Sequence, residues 1–167
     1  MTINDHLSGD ELREALLRTA SGVYTSEAAI RLLLAHGSWP VRLDGAGLIT
    51  VSEATTAAGS NSCYADVLWE EAITTIDAGN VSWGSGSEIR VLRIAASLAT
   101  GIPVDLGDAV TGLDRHNLVL VLAALSHANG SHEHKDYAAE RPGDGRPVVI
   151  TDDTPVLELG PVFGWPQ

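Results

Sequence analysis

The sequence predicts a mainly α-helical single domain. It is read as a bundle of about five helices around a central apolar helix near residues 114–128, closed by a small C-terminal β-hairpin or extended tail. Three observations predict it. Ser8-Gly9-Asp10-Glu11 and Ser85-Gly86-Ser87-Glu88 both have capping-box spacing, in which the serine accepts from the third helical amide and the glutamate reaches back. Apolar residues recur at helical spacing after each box. Leu118 to Leu125 is apolar on every side, the pattern of a buried central helix. A length of 167 residues suits one domain with a core that needs no disulfide or metal.

Taken in order, the first helix opens at Ser8 and carries Leu12, Ala15, Leu16 and Ala20 on one face, with Gly22 as its stop. A second starts at Thr25 or Ser26. It buries Ala29, Ile30, Leu33 and Leu34 and ends at Gly37, with His36 in the last turn where an imidazolium suits the helix dipole. Pro40, Gly45 and Gly47 punctuate the stretch from Trp39 to Gly59, which reads as irregular, with Leu48 to Val51 as a short strand or extended connection. Gly59 to Ser62 reads as a loop. Ala65, Leu68, Trp69, Ala72, Ile73 and Ile76 then predict a helix over Tyr64–Ala78, stopped by Gly79-Asn80. Ser85 opens a helix to Ala99, terminated by Thr100-Gly101-Ile102-Pro103. Leu106 to Thr111 forms one short turn, and Asp114 caps the apolar helix that Gly130 closes. Residues 131–147 are polar and read as a mobile loop. Pro147 to Thr151 reads as a strand, Asp152-Asp153 as a turn, and Val156 to Leu159 as the hairpin partner. The tail to Gln167 lies extended on the surface.

Charge and composition narrow the function classes. The hydrophobic share of 44% and charged share of 19% are those of a folded domain. The formal net charge is −12, and no Lys or Arg occurs between Arg42 and Arg90, where seven carboxylates stand. Such a field repels phosphates and excludes direct nucleic-acid binding from the expected functions, while favouring a basic protein partner. Cys63 is the only cysteine, so neither an internal disulfide nor a thiolate zinc site is expected. The longest apolar run, eight residues, is far below the roughly 20 a membrane helix requires. With no basic and apolar leader at Met1 to His6, a cytoplasmic setting is expected.

Two constellations bear on chemistry. His127, His132 and His134, with Glu133 and Asp136 nearby, are the candidate metal ligands. Imidazole and carboxylate are what Zn²⁺ takes, and His-x-His chelates from an extended segment. Against this, no His-Glu-x-x-His spacing is present, and a polar loop commonly carries solvated histidines. No P-loop, dinucleotide fingerprint or nucleophile elbow occurs, so no cofactor is expected. Glu70, Glu71 and Asp77 in the acidic stretch, and Trp165 in the tail, are the candidate contact residues for a protein partner.

The stretch from Trp69-Glu70-Glu71-Ala72 through Gly86-Ser87-Glu88, Leu92 to Ala99 and Gly112-Leu113-Asp114 to His127-Ala128 resembles small uncharacterised proteins of actinobacteria, as does Leu32 to Trp39. The resemblance implies a bacterial cytosolic setting and no particular activity. Those relatives tend to continue past the tryptophan with a basic, aromatic run, which Pro40-Val41-Arg42-Leu43 replaces here. Two functions are therefore expected to compete. One is a non-catalytic acidic interaction or regulatory module, acting as a monomer or homodimer and masking a basic partner surface. The other is a small metal-binding protein or metal-assisted hydrolase built on the histidine cluster.

Overall fold

The structure, a computed structural model, describes residues 7–55, 61–79, 83–138 and 149–166. Seven α-helices and two antiparallel strand pairs occur among them, so the mainly helical expectation holds. Helix α1 (Gly9–Ala20) begins at the first capping box: the Ser8 amide donates to Glu11 at 2.9 Å, and the Glu11 amide to Ser8 Oγ at 3.4 Å. Helix α2 (Tyr24–His36) ends at Gly37, whose positive φ of 86° lets its N–H close on the Leu33 carbonyl. Helix α5 (Gly86–Thr100) starts at the second capping box, and α7 (Arg115–Ala128) is capped by Asp114, which accepts from the Asn117 amide at 2.8 Å.

The hub of the core is α2. It packs most extensively on α5 and α7 and also meets α1 and the short α3 (Trp39–Gly45). Ala28-Ala29 on α2, Ala95-Ala96 on α5 and Ala123-Ala124 on α7 are all fully buried, which lets three backbones approach closely. Leu32, Leu33 and Leu92 fill the remaining space, each contributing about 2 kcal/mol by leaving water. The expectation that α7 is the hidden centre is corrected. Leu120 and Val121 are buried, but Leu118, Val119 and Leu122 are half-buried and Leu125 is 44% exposed. An all-round apolar run permits burial on every side; only the neighbours present decide which sides are covered.

Residues 39–55 are more regular than expected. Pro40 lies in the first turn of α3, where a missing N–H leaves no helical bond unmade. Ile49–Thr55 forms β1, paired antiparallel with β2 (Asn61–Val67) in the register Ile49↔Val67 to Thr55↔Asn61. The helix expected over Tyr64–Ala78 is thereby corrected to α4 (Trp69–Asp77), because residues 64–67 are held by the ladder with Ala65 and Val67 alternating into the core. Residues 59 and 60 of the expected loop, and Asn80 of the expected stop, lie outside the described residues.

At the C-terminus a single 3₁₀ turn (Ser131–Glu133) precedes β3 (Lys135–Tyr137), which pairs with β4 (Val156–Glu158). The strand expected at 147–151 is therefore not the hairpin partner: residues 149–151 are not a strand, and Pro147-Val148 lie outside the described residues. The turn at Asp152-Asp153 stands, closed by the Thr154 amide on the Thr151 carbonyl at 2.9 Å. Of the loop expected over 131–147, residues 131–133 form the 3₁₀ turn and 135–137 form β3; 139–147 are not among the described residues. Helix α6 (Leu106–Thr111) buries Ala109 and is tied to α5 by Arg90, which donates to the Asp108 carbonyl at 3.1 Å and carboxylate at 2.9 Å. No helix among the described residues is long and apolar enough to cross a membrane.

Candidate functional site

The C-terminal end of α7 gathers three of the residues singled out in the sequence, His127, His132 and Trp165. The α7–α2 packing brings His127 against Glu27 in the first turn of α2, and the imidazole donates from Nε2 to Glu27 Oε2 at 2.9 Å. Glu27 also accepts from the Gly22 amide at 2.8 Å. Burial acts to raise the Glu27 carboxyl, yet the Gly22 amide and His127 outweigh it and hold the group below its ordinary value. His132, on the 3₁₀ turn, stacks on His127 with ring centroids 4.2 Å apart and planes only 7° from parallel. Tyr24 stands edge-on to both rings and donates its hydroxyl to Glu133, which raises the phenol.

The tail docks beside this cluster. Ser131 Oγ donates to the Ser126 carbonyl at 2.8 Å, and the two serine hydroxyls meet at 2.7 Å. Both hydroxyls also accept from the tail, Ser131 from the Val162 amide at 3.3 Å and Ser126 from the Phe163 amide at 2.9 Å. Trp165 then lies half-buried against the core, its ring 6.3 Å from His127. The hydroxyls and the His127–Glu27 pair are thus taken up in holding chain segments together. Chemically the arrangement is a clasp.

The three histidines do not converge. Among the described residues, no three His, Cys, Asp or Glu side chains are placed to hold a metal ion, His127, His132 and His134 included. Parallel stacking sets the His127 and His132 nitrogens in neighbouring planes, and His127 Nε2 is engaged by Glu27. His134 is exposed at the start of the β3–β4 ladder, its carbonyl accepting from the Leu159 amide at 3.1 Å. Glu133 and Asp136 are exposed beside it.

The acidic candidates are also separated from the clasp. Glu70 and Glu71 are exposed in the first turn of α4, where carboxylates suit the helix dipole. Asp77 pairs with Arg93 of α5. Trp165 is a tail anchor and not an open platform. What the sequence reading missed is how many large apolar side chains stay exposed in the C-terminal segments. Val149, Ile150, Val156, Leu157, Leu159, Val162 and Phe163 are all at least 42% exposed, and Tyr137 and Leu125 add to them. Among the described residues of this C-terminal region, the carboxylates Glu133, Asp136, Asp152, Asp153 and Glu158 stand against one cation, Lys135. The available signal was the apolar pairs Val149-Ile150, Val156-Leu157 and Val162-Phe163, which the sequence places in a hairpin and an extended tail.

No family profile, curated protein or solved structure matches the chain.

Proposed function

We propose that this chain is a non-catalytic, acidic protein-interaction or regulatory module that docks a protein partner through the C-terminal hairpin and tail and masks a basic surface on it. The observation that carries the reading is the run of exposed large apolar side chains from Val149 to Phe163. Large apolar side chains left exposed among carboxylates are characteristic of protein contact sites, and tail residues held by the serine clasp are presented with little conformational freedom to lose. The interspersed carboxylates favour a basic rim on the partner. A cytoplasmic setting belongs to this proposal, supported by the resemblance to small actinobacterial proteins.

Affinity capture from the native cell lysate tests it, with the intact chain and a Val162→Asp, Phe163→Ser variant compared side by side. The expected result is a partner bound by the intact chain, weakened at about 0.5 M salt, and lost with the variant. Equal recovery by both chains would remove the C-terminal surface from the proposal.

A further inference from the structure

The two edges of the β1–β2 hairpin are treated differently. In an antiparallel pair, successive residues point their N–H and C=O alternately toward and away from the partner strand. The Leu68 amide donates to the Leu48 carbonyl at 2.9 Å, in line with the register that continues as Thr50↔Asp66 and Ser52↔Tyr64. Leu48, Thr50, Ser52 and Ala54 therefore face β2. Ile49, Val51, Glu53 and Thr55 face outward, as do Cys63, Ala65 and Val67 on the other strand. The outer edge of β2 is closed by α1: Arg18 donates to the Cys63 carbonyl, and the Ala65 amide donates to Thr19 Oγ1 at 3.1 Å. On the outer edge of β1, no backbone hydrogen bond leaves Ile49, Val51, Glu53 or Thr55 among the described residues.

Glu53 is the one blocking device this open edge carries. Ile49-Thr50-Val51-Ser52-Glu53-Ala54-Thr55 contains no Lys and no Pro, and its pairing with β2 runs without a bulge. Seven residues span about 23 Å of ladder. The single charge on the strand is Glu53, and it lies within the stretch from Leu43 to Ile89 that carries seven carboxylates and no cation.

We infer that β1 is a docking strand for an extended, Lys- or Arg-bearing segment of another protein, which adds beside it as a third strand. The main-chain groups of Ile49, Val51, Glu53 and Thr55 supply the ladder, and Glu53 on the strand, Asp66 opposite Thr50 on β2 and the chain's net charge of −12 favour a cationic segment. A second copy of this chain is the disfavoured occupant, because it brings Glu53 and a net charge of −12 to the same edge. The inference concerns a different face from the C-terminal surface and stands whether or not that surface binds.

The probe is an acetylated, amidated octapeptide of alternating Val and Lys, titrated into the full chain by NMR. Slowed hydrogen exchange is expected at the amides of Ile49, Val51, Glu53 and Thr55. Methylating the peptide nitrogens that face the edge keeps every charge and is expected to weaken binding at least about tenfold. An alternating Val and Glu peptide should not bind. Glu53→Pro removes an N–H that β2 does not use and should abolish binding, whereas Glu53→Gln should only weaken it. Should the proline variant lose the cross-strand signals of Ser52 and Tyr64, the methylated peptide decides alone. The inference is overturned by equal binding of the methylated peptide, by protection at other amides only, by equal binding of the acidic peptide, by absence of binding, or by a dimer protecting the same four amides without peptide.

Discussion

Two histidines with largely covered side chains stand at opposite ends of α2, each near a glutamate, and the two pairs are built differently. At one end His127 donates to Glu27 at 2.9 Å, and among the described residues that carboxylate accepts hydrogen bonds only from His127 and the Gly22 amide. At the other, His36 Nε2 lies 3.8 Å from Glu88, which is already engaged by the Ser85 amide at 2.7 Å and by Arg42 at 3.0 Å. His36 instead meets the Ser38 hydroxyl at 3.0 Å through Nδ1. Burial holds its pKa below the ordinary value, with Glu88 only partly offsetting this. The same residue types thus make a clasp at one pole and a neutral packing group at the other, according to how many donors compete for the carboxylate.

The sharpest way to break the comparison is His127→Ala. It removes the bond to Glu27, the stack on His132 and the contact with Trp165, and should destabilise the fold by about 2–4 kcal/mol in urea titrations. Trp165 fluorescence should become solvent-like at the same time. An equal loss from His36→Ala would show that the poles do not differ. Next in size is Glu88→Ala, which strips the α5 capping box and the Arg42 partner, for about 1–2 kcal/mol.

Acidity separates the poles further. The Glu88 carboxyl is held below its ordinary value by the Ser85 amide and Arg42, burial opposing them, and Glu27 is also depressed. Depressed carboxyls contribute stability that is complete above their unfolded value of 4.5 and is lost as pH falls through the folded value. His36 is depressed too, so its neutral form belongs to the fold; that contribution is present above 6.5 and declines as pH falls from there toward the folded value. Urea midpoints should therefore drop in two stages, and His36→Gln should flatten the upper one alone. The smallest effect is expected from Gly84→Ala. Its β-carbon would lie 2.6 Å from Glu88 Oε2 and 2.8 Å from Arg42 Nη1, displacing flexible side-chain ends at under about 1 kcal/mol, with no effect on the His127 pole.

Helix ends were the most legible part of the fold. Ser8 with Glu11, Ser85 with Glu88, Asp114, Gly37 and Gly101 act locally, and the structure places each where its chemistry requires. Residues 61–67 were not legible, because Ala65, Leu68 and Trp69 satisfy a helical spacing by coincidence; the pairing that makes β2 a strand comes from β1, outside that window. The partner of β4 was equally non-local. At the candidate site, the sequence drew attention to His127, His132 and Trp165, and the structure gathers all three. It could not show that Glu27, 100 positions away, would take the imidazole.

The position of α2 also has a consequence for synthesis. Its principal neighbours, α5 and α7, are completed only when Ala128 has emerged, 92 positions after His36. At ribosomal rates that interval is on the order of 5–20 s, and for roughly its first two-thirds, until Thr100 completes α5, Ile30, Leu32 and Leu33 have chiefly α1 and α3 to shelter them. A nascent chain of this protein therefore offers an uncovered apolar helix to chaperones well before its own partners arrive.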